Sequence, residues 1–104
     1  MSTLIKIKDH DYALHFNYTL LDTIEGTMQG RSIMGSIVAN SGLLPRATLK
    51  QIFTLTLLDG KDNSVIKQDD AAKIYDAAIE ELGYATLDKA VITAMQDDVP
   101  AYFR

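Results

Sequence analysis

The chain lacks cysteine, clustered basic residues and long apolar runs, and each absence excludes or disfavours a class of protein. Without cysteine there are no disulfides, thiolate metal sites or cysteine nucleophiles, as is typical of proteins from a reducing compartment. The net charge is -4 and Lys and Arg form no run, whereas nucleic-acid phosphates are bound by clustered cations. No window approaches about 18 continuous apolar residues, and the N-terminus does not resemble a signal peptide. We therefore expect a cytoplasmic protein that neither spans a membrane nor binds nucleic acid.

Motifs that carry catalysis are also missing from the sequence. No glycine-rich phosphate loop follows a strand, and there is neither a nucleophile elbow nor a pair of histidines at helical spacing. The acidic pairs Glu80-Glu81 and Asp97-Asp98 are adjacent in sequence, so a helix would splay them apart instead of converging them on one substrate atom. We therefore expect no enzyme activity, no catalytic residues and no cofactor.

The length and apolar content predict one folded domain covering residues 1–104. Chains of about 100 to 150 residues usually build a single core, and 47% hydrophobic residues are enough to fill it. The first part, residues 3–16, alternates at period two in "TLIKIK" and "YALHF" around Asp9, His10 and Asp11. This pattern predicts a β-hairpin with Ile5 and Ile7 on one face.

Helical spacing of apolar residues dominates the rest of the chain, residues 17–99. The predicted helices, with their expected caps and stops, run from Asn17 to Gly30, from Ser32 to Ser41, from Pro45 to Gly60, from Asp69 or Asp70 to Gly83, and from Thr86 to a limit at Pro100. In the second helix Ile33, Met34, Ile37 and Val38 are expected to form the apolar side. The predicted fold is α+β and mostly α, with a short hairpin followed by a bundle of about five short helices.

The segment after the third predicted helix invites comparison with a calcium loop. If Asp59 is the first ligand, Asn63 and Asp70 fall at ligand positions of an EF-hand. Lys61, however, places an ammonium where the third ligand oxygen belongs, and Ser64 replaces the glycine of the sharp turn. We therefore predict a solvated polar connection between two helices and no metal site.

Two histidines near the hairpin turn are the other candidates for metal or acid–base chemistry. His10 lies in the expected turn beside two aspartates, and His15 lies on the face opposite Leu14 and Phe16. A turn rich in Asp needs no catalytic role to explain it. We therefore expect both imidazoles to face solvent.

The third predicted helix carries more leucine than one packed face can bury. At about 100° per residue, Leu58 lies nearly opposite Leu49, and Leu55 lies well outside the arc of the core residues. Either this is a central helix buried on all sides, or Leu55 and Leu58 form a second apolar surface for self-association or for an unfolded client. They are the candidate partner-binding residues of the chain.

Three segments follow one another in a recognisable order. The segment "YALHFNYTLLDTIEG" runs from a strand into a helix, and "LKQIFTLTLLDG" is a leucine-rich helical segment. They resemble the opening strand and helix and the central helix of the tail assembly chaperones of long-tailed bacteriophages and gene transfer agents. The segment "AAIEELGYATLDKAVITAM" resembles the last two helices of that family and their Gly-Tyr connection. The resemblance is one of pattern and spacing over roughly residues 12–96.

This resemblance implies a non-enzymatic factor of the host cytoplasm that coats the helical tape measure protein, recruits tail tube protein and is absent from the mature virion. Family members often have a short and a frameshift-extended form, and with no extension after Arg104 this chain would be a short form or a member without a long one. Two alternatives remain open at this stage. One is a small helical DNA-binding regulator that uses Arg46 and Lys50, and the other is a structural tail-completion or connector protein.

Overall fold

A three-stranded antiparallel sheet and five α-helices make up the computed structural model, which describes residues 3–103. In chain order the elements are β1 (Thr3–Ile7), β2 (His10–Leu14), α1 (Tyr18–Gly26), α2 (Ile33–Ala39), α3 (Arg46–Thr56), β3 (Leu57–Asp59), α4 (Gln68–Leu82) and α5 (Tyr84–Asp98), followed by a 3₁₀ helix (Pro100–Phe103). The strand order in the sheet is β1-β2-β3. The mostly α, α+β fold predicted from the sequence is confirmed.

The hairpin forms where the alternating pattern predicts it, although its turn lies earlier than expected. β1 and β2 pair from Thr3 with Leu14 to Ile7 with His10. Lys8 and Asp9 have φ values of 49° and 64°, the left-handed backbone that a tight two-residue hairpin turn requires. His10 is therefore the first residue of β2 and not part of the turn.

The prediction that the third helix continues to Gly60 is wrong. α3 ends at Thr56, and Leu57 has an extended backbone with φ -74° and ψ 130°. Leu57 begins β3, which continues to Asp59. In this strand Leu57 pairs with Leu14 and Leu58 pairs with Ala13. Pairing with β2 begins at the helix end itself, because the Thr56 carbonyl accepts the backbone N–H of His15 at 3.2 Å.

The helix starts predicted at Asn17 and Ser32 agree with the structure, whereas those of α4 and α5 differ. Asn17 caps α1 as predicted, since its side chain accepts the Leu20 N–H at 2.7 Å. α4 begins at Gln68 without a side-chain cap, so Asp69 and Asp70 lie in its first turn, where negative charge complements the helix dipole. α5 begins at Tyr84, before the predicted Thr86 cap, because Gly83 with φ 84° ends one helix and starts the next.

The core lies between one face of the sheet and helices α3, α4 and α5. Its largest fully buried side chains are Phe16, Phe53, Ile7, Leu14, Leu21, Ile24, Ile33, Leu44, Leu49, Ile52, Leu57 and Leu87. Helix α2 contributes only Ile33, whereas Met34 and Ile37 are half-buried and Val38 is 75% exposed. The predicted apolar side of α2 is therefore only partly covered.

The 3₁₀ helix packs against the first two helices through Glu25. One Glu25 carboxylate oxygen accepts the Ile33 N–H at 2.7 Å and also the Tyr102 hydroxyl. Burial, and then the hydrogen bond to Glu25, raise the pKa of Tyr102 to about 12. Glu25 therefore joins α1, the start of α2 and the end of the chain.

Candidate functional site

An apolar row crosses the solvent-facing side of the sheet. Successive strand residues point to opposite faces, so Leu4, Ala13 and Leu58 lie on the side opposite the buried Leu14 and Leu57. These residues are direct neighbours, because Leu4 pairs with Ala13 and Ala13 pairs with Leu58. Leu58 in turn forms an isolated bridge with Val65. We call Leu4, Ala13, Leu58 and Val65 the outer apolar row.

Exposure in this row is concentrated at its two ends. Leu4 is 62% exposed and Val65 is 84% exposed, whereas Leu58 is partly buried and Ala13 is fully covered. Neighbouring strands are about 4.8 Å apart, so four positions side by side extend over roughly 14 Å. The row therefore presents two separate exposed apolar side chains, one at each end, with a covered middle between them.

Polar groups border the row on the side nearer the hairpin turn. Lys6 and Asp11 face each other across β1 and β2, with Nζ and Oδ1 4.0 Å apart, and both side chains are largely exposed. The Asp11 carbonyl accepts the Gly60 N–H at 2.9 Å, which extends the pairing of β2 past the end of β3. The row therefore has a charged border, as protein-binding patches commonly do.

The loop after β3 positions Val65 at the end of the row. The Asp59 N–H donates to the Ser64 carbonyl at 2.9 Å, and the Asn63 N–H donates to the Asp59 carbonyl at 2.9 Å. The loop therefore folds back on β3. It connects this strand to α4, so the prediction that it connects two helices is wrong.

The acidic side chains of this loop bind their own backbone. Asp59 Oδ1 accepts the Lys61 N–H at 2.9 Å, and Asp62 Oδ1 accepts the Ser64 N–H at 3.0 Å. The backbone donor of Lys61 lowers the pKa of Asp59, and the hydroxyl and N–H of Ser64 lower that of Asp62. Over residues 3–103, no group of three His, Cys, Asp or Glu side chains could hold a metal ion.

The two histidines have different surroundings, and the expectation that both face solvent needs correction for His10. Its Nε2 lies 3.1 Å from Asp59 Oδ2, and its ring centroid lies 4.6 Å from that of Tyr12. The His15 side chain is half exposed, with Nδ1 3.9 Å from Asp98 Oδ2. His10 therefore helps to connect β2 to β3, a role that its place in the predicted turn did not suggest.

The two predicted partner-binding residues do not share a helix surface. Leu58 belongs to the outer apolar row, whereas Leu55 lies in the last turn of α3 and is 43% exposed. Leu55 borders a shallow groove of about 420 Å³ together with Lys50, Gln51 and Gln68. The assignment of Leu58 to a helix is wrong, because that residue lies on β3, and its role in partner binding stays a prediction.

Sequence reasoning missed Leu4 and Val65, although both leave a signal. Leu4 is the apolar member of the strand face that also carries Lys6. Val65 directly follows the polar stretch "KDNS" and shares no periodicity with the helices. The sequence alone can show an apolar residue on the polar side of a strand or after a polar loop. Which residues lie beside it in space becomes known only from strand pairing.

The basic residues at the start of α3 do not form a cationic surface. Arg46 Cζ lies 5.3 Å from the ring centroid of Tyr84, and Lys50 Nζ lies 5.9 Å from that of Tyr75. Both basic residues border a groove of about 600 Å³ whose lining also includes Asp76 and Glu80. Two carboxylates beside two cations repel phosphate as much as the cations attract it, so this geometry gives no support to DNA binding.

Comparisons with family models, curated proteins and solved structures give no match. Among residues 3–103, none of the helices combines the length and the apolar character needed to cross a bilayer.

Proposed function

We propose that this protein is a tail assembly chaperone of a long-tailed bacteriophage or gene transfer agent, a non-enzymatic factor that binds the tape measure protein in the host cytoplasm. Two observations support the proposal. The sequence pattern of strand, leucine-rich segment and closing helices resembles that family, and the outer apolar row presents its two ends, Leu4 and Val65, to solvent. The second observation carries the argument, because it supplies a surface for an apolar client.

The client in this proposal is a long amphipathic helix. Residues three and four apart on a helix face recur every 5 to 6 Å, which is close to the spacing of neighbouring strands. The apolar stripe of such a helix can therefore contact Leu4, Leu58 and Val65 in succession. The charged border formed by Lys6 and Asp11 then meets the polar flank of the helix.

Each copy needs only weak affinity in this arrangement. Many copies along one client cover a continuous apolar stripe, and self-association between neighbouring copies would raise the effective concentration at each site. Polymerising tail tube protein then displaces the copies one after another, so that the chaperone is absent from the mature virion.

The proposal predicts that a very long helical protein is encoded beside this chain, and it is tested by binding to a fragment of that protein. Leu58→Asp places a charge in the centre of the row and should weaken binding by about tenfold or more, the change expected for a central interface residue. Val38→Asp is the matched control, because Val38 is 75% exposed on α2 and lies outside the row. Isothermal titration calorimetry with both variants gives the comparison.

Equal affinity of the Leu58 variant and the parent would contradict the proposed surface. Leu55→Asp distinguishes the two predicted partner-binding residues, since weaker binding in that variant alone would move the site to the α3 groove. Detection of the protein in purified virions by mass spectrometry would contradict the chaperone function and indicate a structural tail component.

A further inference from the structure

The connection between α2 and α3 is held to α5 through the backbone of a single residue. The Leu44 N–H donates to Asp88 Oδ1 at 2.9 Å, and the Leu44 carbonyl accepts the Tyr84 hydroxyl. Tyr84 and Asp88 are four residues apart, on one face of α5. The Asn40 side chain donates both to the Leu43 carbonyl at 2.9 Å and to the Tyr84 oxygen at 3.4 Å. We call this cluster the Leu44 clamp.

The carboxyl group of this clamp is fully buried and incompletely satisfied. Asp88 has no exposed surface, and its Oδ2 has no hydrogen-bond partner among the described residues. None of the ion pairs found within residues 3–103 involves Asp88. Burying an ionised carboxylate costs free energy. One hydrogen bond from a backbone N–H, with no cation nearby, offsets only a small part of that cost.

The groups that face Asp88 from the surrounding elements do not remove this cost. Tyr84 lies on α5 itself, Tyr75 lies on α4, and the Arg46 guanidinium from α3 lies over the Tyr84 ring. Burial raises the pKa of both phenols above 10.0, so neither titrates between pH 4 and 9. Asn40 and Leu44 contribute only neutral groups.

We propose that the Leu44 clamp is proton-controlled: it is closed while the Asp88 carboxyl is protonated and opens more readily once that carboxyl is ionised. Ionisation favours states in which water reaches Oδ2, and water reaches it when the segment around Leu44 leaves α5. The proposal concerns local opening of the α2–α3 connection and is independent of any client.

The sign of the pH dependence follows from the same burial. Burial raises the pKa of Asp88 from its ordinary value of 3.8, while the hydrogen bond from the Leu44 N–H opposes the shift. The folded state therefore holds the proton more tightly than the unfolded state does. Protonation of Asp88 therefore contributes to the free energy of unfolding. This contribution is complete below pH 3.8 and is lost as the pH rises through the raised pKa of the folded state.

Hydrogen exchange at the Leu44 amide tests the clamp in the intact protein. After correction for the intrinsic exchange rate, protection of this amide should fall between pH 3 and pH 8, by about tenfold for each unit by which the pKa is raised. In Asp88→Asn the amide oxygen can still accept the Leu44 N–H but the side chain cannot ionise, so protection should stay constant. Asp76→Asn is the control, because Asp76 is an exposed carboxylate on α4.

Two outcomes would overturn the proposal. One is a pH dependence of Leu44 protection in Asp88→Asn equal to that of the parent and of Asp76→Asn. The other is an NMR titration of the Asp88 carboxyl carbon with a midpoint at or below 3.8, which requires no variant and decides the question even if Asp88→Asn fails to fold.

Discussion

Leu57 and Leu58 are adjacent in β3 and have the same side chain, yet they belong to opposite faces of the sheet. Leu57 is 2% exposed and packs in the core with Leu14 and the helices. Leu58 pairs with Ala13 on the other face, where Leu4 and Val65 are among the most exposed apolar residues described. One residue of register therefore separates a core position from a position on the proposed client surface.

Hydrophobicity alone does not distinguish the apolar residues of the sheet that fill the core from those assigned to the proposed client surface. On the inner face, Leu side chains are enclosed by other elements and hold the fold together. On the outer face, apolar residues are neighbours across the strands and are exposed only at the two ends of the row. Stability and binding can therefore be tested separately at neighbouring positions.

The largest loss of stability is expected for Leu57→Ala. Removing a fully buried leucine side chain leaves a cavity in the core and should cost about 2–5 kcal/mol of the free energy of unfolding. Urea unfolding followed by circular dichroism measures it, with Leu58→Ala as the matched control. Equal losses in the two variants would show that both faces are buried and would remove the distinction between them.

A smaller loss is expected for Gly60→Ala, which lies just past β3. An added Cβ would stand 2.5 Å from the Asp11 carbonyl oxygen, so the backbone must shift and the contact between Gly60 and β2 must weaken. We expect a cost of about 1–3 kcal/mol, as for other overpacked sites, seen as a lower melting temperature. Gly26→Ala is the control, because nothing lies within 4 Å of its added Cβ. A Gly60 variant as stable as this control would mean that the end of β3 is not tightly held.

Leu58→Asp should cost about 1 kcal/mol, because Leu58 is only partly buried on the outer face. The variant should remain folded and monodisperse while its binding to the client fragment falls. Differential scanning calorimetry together with size-exclusion chromatography distinguishes these effects. A melting temperature as low as that of Leu57→Ala would place Leu58 in the core and exclude the outer apolar row as a binding surface.

The smallest effect is expected from calcium, which should leave both faces of the sheet unchanged. The carboxylates of Asp59 and Asp62 accept hydrogen bonds from their own loop, and Lys61 lies between them. Titration with calcium should therefore give no binding heat and no change in melting temperature. Micromolar affinity by calorimetry would show that the loop rearranges around the ion.

Local patterns predicted most of the fold and little of the candidate site. The hairpin, the five helices and the Asn17 cap follow from apolar periodicity and capping chemistry, which act over a few residues. β3 could not be predicted in this way, because three residues are too few to show a period. Its partner in β2 also lies more than 40 residues away in the chain. The pattern "TLTLLDG" is equally compatible with the end of a helix.

The outer apolar row illustrates the same limit. Leu58 does not fit the core face of a helix, and the structure places it on a strand, opposite Ala13. Leu4 and Val65 join it only through pairing between distant segments. Tertiary pairing, and not local propensity, creates this surface.

The position of β3 after α3 also determines when the sheet can be completed during synthesis. The β1–β2 hairpin leaves the ribosome first, with Ile7 and Leu14 on an apolar face, and a lone hairpin is marginal in water. Leu57 follows only after α1, α2 and α3 have been made, and α4 and α5 come later still. The hairpin therefore cannot gain its third strand until three helices have been made, so its apolar face is covered late relative to its own synthesis.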